Sequence, residues 1–180
     1  MKRIYSIVAA LLLFCSPSLN AQSEAGAIFL LISPGARAGG MGEAQVAVAN
    51  DAYASYWNPA GLAFQTGSEI AFMHVNWLPN LADDLYYEFL GFRKQYENLG
   101  TLGGHLIYLN LGEQVRMDEF AQYQGKFTSY MMAAALSYSS KLSGTSAFGM
   151  NAKISYQHLV EISTGAEKGK GTSIDFGFDL

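Results

Sequence analysis

Gly35-Ala36-Arg37-Ala38-Gly39-Gly40-Met41-Gly42, continued to Asn58-Pro59-Ala60-Gly61-Leu62-Ala63, is the stretch on which the fold turns. Small residues let a backbone pack closely in a confined space. Asn58-Pro59-Ala60-Gly61 is turn chemistry, since Pro fixes φ and the Gly after it tolerates positive φ. The stretch follows an apolar leader and precedes a series of alternating segments. A compact plug ahead of amphipathic strands is how certain outer-membrane barrels begin, so the sequence poses a membrane question first.

The leader opens with Met1-Lys2-Arg3, and Ile4 to Phe14 is almost wholly apolar. It is shorter than the ~20 apolar residues of a membrane-spanning helix. Ser16-Pro17-Ser18 breaks the run, and Ala21-Gln22 is a suitable cut for a secretory signal over residues 1–21. The single cysteine, Cys15, lies within it. Phe14 is too bulky to precede a lipidated cysteine. The processed chain is therefore expected to hold no disulfide and no thiolate metal site. Removing Lys2 and Arg3 from the eleven basic residues leaves nine against fifteen acidic ones, a formal charge of −6. No basic stripe survives, which argues against nucleic acid as a partner. Only 14% of residues are charged, against eleven Tyr, eleven Phe, two Trp and nineteen Gly. That mixture suits a transmembrane β-barrel.

Residues 22–66 read as a Gly-rich hatch, with Asn50 as N-cap of a short helix Asp51 to Trp57 that Pro59 ends. From Ser68 the hydrophobic period becomes two. Six strands are expected: Ser68 to Trp77, Leu85 to Lys94, Gly100 to Leu111, Phe127 to Ser140, Ser146 to Leu159 and Thr172 to Leu180. In the fifth, Phe148, Met150, Ala152, Ile154 and Tyr156 alternate with Gly149, Asn151, Lys153, Ser155 and Gln157. Most reach the ~9–11 residues that cross a bilayer at a tilt, whereas a soluble sandwich uses shorter strands. Connectors Gln95 to Leu99 and Lys141 to Thr145 are short. Leu78 to Asp84, Gly112 to Lys126 and Val160 to Gly171 read as longer loops at the opposite end. A bacterial membrane barrel closes with about eight strands or more, so residues 67–180 are expected to be the first strands of an incomplete barrel.

Gly35 to Ala63, with Asp51-Ala52 and Trp57-Asn58-Pro59-Ala60-Gly61-Leu62-Ala63, resembles the N-terminal hatch of FadL-like long-chain fatty acid transporters. Phe29-Leu30-Leu31-Ile32, His74-Val75-Asn76-Trp77-Leu78-Pro79 and Tyr108-Leu109-Asn110-Leu111-Gly112-Glu113 narrow the likeness. Together they look like the PorV family of type IX secretion, related to PorQ. The resemblance implies an all-β, antiparallel transmembrane barrel of roughly fourteen strands in the Gram-negative outer membrane, with about half of it here. It also implies a shuttle that binds cargo by its C-terminal signal domain. Its implied partners are outer-membrane lipid, the type IX translocon pore protein and a sortase-like attachment complex. Lipopolysaccharide deacylation is implied for some members, yet no Gly-x-Ser-x-Gly elbow accompanies it here. No enzyme activity, cofactor or metal is expected. A FadL-like transporter of hydrophobic small molecules is the alternative, and it calls for an apolar lumen and a mobile plug.

The candidate sites are few. His74, His105 and His158 fall on three strands without metal-ligand spacing and read as lumen or interface residues. Asp83-Asp84 and Asp118-Glu119 read as solvated loop charge. Gly39-Gly40-Met41-Gly42 lacks the Lys-Ser/Thr of a phosphate loop and reads as plug packing. Asn58, Pro59, Ala60 and Gly61 are read as fixing the plug against the first strands rather than lining a permeation path. Trp57, Trp77, Tyr86, Tyr87 and Tyr138 are candidates for interfacial girdles, Trp77 equally for lumen packing. Leu78, Pro79, Phe120 and Tyr123 are the expected partner contacts, as apolar residues on long loops.

Overall fold

In the computed structural model the described residues are 27–80, 82–118, 120–164 and 167–179, with side chains described through 159. The expected signal peptide, residues 22–26, Glu119 and Leu180 lie outside them. The chain forms one six-stranded antiparallel meander: β1 (Ser68–Asn76), β2 (Tyr86–Tyr96), β3 (Gly100–Met117), β4 (Tyr123–Lys141), β5 (Ala147–Thr164) and β6 (Glu167–Asp179). Each strand pairs with the next in sequence. All six expected strands are present, and the sheet is a segment of all-β barrel wall.

The two faces of this wall differ because the side-chain period is two. Phe72, Leu90, Leu106, Ala134 and Ile154 are register partners in one row, and the four large ones are exposed. One residue along, Met73, Phe89, Ile107, Ala133 and Ser155 form the next row. Four of these are buried, and Met73 packs against them. The hatch lies over that inner face. Its helices α1 (Ala36–Gly40) and α2 (Ala54–Trp57) are single turns, joined by 3-10 turns at Ile28–Leu31, Val46–Val48 and Pro59–Phe64. Phe29, Tyr87, Phe89, Ile107, Leu109 and Ala133 make the main core, with Tyr53 and Tyr56 packed against it. Each large apolar side chain so buried contributes about 1.5–3 kcal/mol.

Aromatic rows bound the outer face at two levels. Tyr86, Tyr108 and Tyr130 stack at 6.0 Å spacing across β2, β3 and β4. His74 extends the row at 5.8 Å and His158 at 5.2 Å. At the other level stand Tyr96, Tyr138 and Phe148. From Tyr130 to Tyr138 the strand rises ~26 Å, or ~20 Å across a wall tilted by about 40°. That height fits the apolar band of a membrane barrel.

Four sequence expectations are corrected. Gly112 to Lys126 is not a long loop, because β3 runs on to Met117 and β4 starts at Tyr123. Val160 to Gly171 is likewise mostly strand. What is long at this end is the hairpin, and register shifts at Asn110/Glu113 and His158/Glu161 mark where each hairpin leaves the wall. The helix before Pro59 covers only Ala54–Trp57 and has no side-chain N-cap. Asn50 is taken up by Arg37 at 2.6 Å, and Asp51 Oδ1 accepts the Tyr53 N–H in a local turn. Of the girdle candidates, Tyr87 points inward and is buried, and Trp57 belongs to the hatch.

Candidate functional site

Two places carry the candidate residues: the seam between hatch and wall, and the hairpin end. At the seam, Asn58 is extended (φ −161°, ψ 95°) and its side chain accepts the Ala60 N–H at 3.1 Å. Its amide donates to the Val46 carbonyl at 3.1 Å. Pro59 then starts a 3-10 turn, where its missing N–H is not needed. Gly61 serves this turn through space rather than through positive φ, because a Cβ there would overlap the Ala49 carbonyl oxygen. On the wall side, a Cβ at Gly149 would overlap the Pro59 carbonyl carbon and the Ala60 nitrogen. The Asn58-Pro59-Ala60-Gly61 corner is thus seated directly on β5.

Hydrogen bonds fasten the rest of the hatch. Ser55 Oγ lies 3.0 Å from His105 Nδ1, and both residues are buried. The Asn151 amide donates to the Ser55 carbonyl at 2.7 Å. The Gln65 amide reaches the Ala49, Asp51 and Gly61 carbonyls at 3.2–3.3 Å. Tyr56 and Tyr87 hydroxyls donate to the Leu30 and Ile32 carbonyls, and Trp57 Nε1–H donates to Pro34. Burial pushes the Tyr56 phenol above its ordinary range, so it stays a neutral donor. A Cβ added at Gly39, Gly40 or Gly42 would meet open space. Close packing falls to Gly61 and Gly149 instead.

The three histidines are held apart. His105 lies on the inner face beside Ser55, ring-stacked on Phe89 at 5.5 Å. His74 and His158 stand in the outer aromatic row, and His74 is hydrogen-bonded to Glu88 and Asn76. Among the described residues no group of three His, Cys, Asp or Glu could hold a metal ion.

At the hairpin end, Leu78, Pro79, Phe120 and Tyr123 are all exposed. They do not form one patch. Leu78 and Pro79 lie in the loop between β1 and β2, which is fastened to the base of the β3–β4 hairpin. Asp84 accepts there from the Glu113 N–H (2.6 Å) and, through its carbonyl, from Asn110 (2.8 Å). Gly112, at φ 70°, makes the bulge and leaves space for that carboxylate. Phe120 and Tyr123 sit at the tip, beyond about seven more strand residues, or ~23 Å. Asp118 organises the tip: its carboxylate accepts from the N–H groups of Phe120 and Gln122 and from the Gln124 amide. The Gln122 N–H, with those others, holds the Asp118 carboxyl below the usual carboxylate range. Asp84 and Asp118 are therefore structural acceptors, not the freely solvated charge expected. Val115 and Met117, 51% and 57% exposed, join Phe120 and Tyr123 as apolar residues of the hairpin. Sequence reading missed them by placing them in a loop.

A meandering wall, apolar outside between aromatic rows and covered inside by the packed N-terminal segment, is the architecture of an all-β barrel fragment. Among the described residues no helix is long and apolar enough to cross a membrane. The chain belongs to the PorV family: the family model described as type IX secretion system protein PorV matches residues 20–180. Membership ties it to type IX secretion, as the sequence resemblance implied. None of the curated proteins matches the chain.

Proposed function

We propose that this protein is a non-enzymatic shuttle of the type IX system, exported by a leader over residues 1–21 and seated in the outer membrane. It binds exported proteins by their C-terminal signal domain at the hairpin end. It collects them at the translocon pore protein and delivers them to a sortase-like attachment complex. The match to the PorV model over residues 20–180 carries this reading. The apolar belt between aromatic rows supports a place in lipid. Leu78, Pro79, Phe120 and Tyr123, on a braced hairpin and the loop fastened to its base, support partner binding there.

The inner face speaks against the alternative of a conduit for fatty acids. Such a path calls for apolar lining, which β2 and β3 supply with Phe89, Ile107 and Leu109, but β4 and β5 turn Ser129, Ser137, Ser139, Asn151, Ser155 and Gln157 inward. The hatch is also bonded to three strands, and the Pro59-Ala60 backbone is seated against Gly149 of β5.

The test is cell fractionation in a strain lacking the gene. Proteins with type IX C-terminal signals should accumulate unprocessed in the periplasm, and the restored gene should clear them. Normal surface display of those proteins would reject the shuttle and make uptake of hydrophobic small molecules the next assay.

A further inference from the structure

Among the described residues, the β3–β4 hairpin has an edge without a register partner on the β5 side. The β2–β3 register ends at Tyr86 and Asn110, and the β4–β5 register ends at Tyr130 and His158. Beyond those points β4 has register partners only in β3. The Glu113 N–H points away from β4, since it donates to Asp84. Glu113 and its partner Thr128 are therefore a non-hydrogen-bonded pair, and by alternation so are Val115 and Lys126. The backbone N–H and C=O groups of Lys126 and Thr128 consequently face the open edge. Such a row pairs with any extended chain of matching register.

We propose that this edge takes up one extended strand of the exported protein. The inference rests on the shuttle reading given above and names how its partner is held. The short edge suits a single strand, because the register break at Arg116/Met117 and Gly125 (φ 110°) bound it on one side and the Ser129 hydroxyl, donating to the Leu159 carbonyl, on the other, which leaves residues 126–128. Side chains on the same hairpin supply an apolar contact. Met117 and Tyr123 are register partners beside the pair Val115 and Lys126, and Phe120 is 80% exposed at the tip. An incoming strand with apolar residues at alternate positions fits that face. The hairpin is ordered before binding: Lys126 and Glu113 pair at 2.5 Å, the Arg116 guanidinium lies over Phe127 at 5.9 Å, and Asp118 closes the tip. Preorganisation lowers the entropy lost on association.

The test uses the full chain in outer-membrane fragments and a purified type IX C-terminal signal domain as probe. Lys126→Ala and Lys126→Pro both lose the ion pair, but only the proline loses the edge donor. The alanine variant should bind within about twofold of wild type and the proline variant about tenfold more weakly. Thr128→Pro repeats the comparison against Thr128→Ala, and chymotryptic cleavage at Phe120, Tyr123 and Phe127 reports whether each variant keeps the hairpin folded. Amide exchange at Lys126 and Thr128 in the unmutated chain should slow when the domain is added. Equal binding by the alanine and proline variants, or no slowing of exchange, overturns the edge. So does loss of self-association in the proline variants with domain binding intact, which would make a second copy of this chain the occupant. If Phe120→Ser and Tyr123→Ser alone weaken binding, the edge fails and the shuttle stands. If unmutated protein does not bind the domain, the shuttle itself fails.

Discussion

At Gly149 a single methyl group would collide with the backbone of Pro59 and Ala60. Neither segment is a flexible side-chain end that could swing aside. Gly149→Ala should therefore destabilise the protein by about 1–3 kcal/mol, the range of overpacked sites, read as a lowered midpoint of denaturant unfolding in detergent. Ser55→Ala tests the other side of the seam. It leaves the buried His105 Nδ1 without the Ser55 hydroxyl and should cost about 1–3 kcal/mol. Some of this was legible in the sequence. Asn58-Pro59 announces a break in the chain, and Pro59 does open a new turn. The role of Gly61 was misassigned, because turn preference and close approach select the same residue. Ser55 gives no sequence signal, since its partner is 50 residues away.

Alternation identified each strand where one face meets the hatch and the other the apolar belt. It failed beyond Leu111, where Glu113, Gln114, Val115 and Arg116 carry no two-faced pattern. Both faces of that hairpin are polar enough to read as loop, and strand pairing with β4 decides the matter instead. The tip has its own pH dependence. The Asp118 carboxyl titrates below its ordinary value of 3.8, so its contribution to order is full above that pH. It is lost only as pH falls through the lowered value. Amide exchange at Phe120 and Gln122 should stay slow at neutral and mildly acidic pH and quicken in strong acid. In Asp118→Ala the same amides should exchange rapidly at every pH, and slow exchange there would contradict the assignment.

For the whole molecule the proposed seat in the outer membrane is tested on the outer face of the wall. Leu106 and Leu136 stand 52% and 69% exposed on the outer face. Leu106→Arg, in the row of Ala134 midway between the aromatic levels, should cost about 2–4 kcal/mol if that row lies at the bilayer midplane. The fraction folded into membranes should drop for Leu106→Arg and hold for Gln124→Arg on the projecting hairpin. Equal behaviour of the two would remove the lipid assignment. Composition already pointed to a Gly- and Tyr-rich barrel, and the wall agrees. The arrangement of hatch on wall was not legible, because it depends on contacts between residues far apart in the chain.

Those contacts also bear on how the protein comes to be folded. Ser55 is tied to residues 50 and 96 positions further on, and the Ile32 carbonyl to Tyr87, 55 positions away. The N-terminal segment leaves the ribosome first, yet cannot settle until β5 arrives to seat it. Contacts of such sequence separation slow folding and make it concerted. Hatch and wall therefore settle together, and the apolar face of the hatch stays uncovered until the fifth strand is in place.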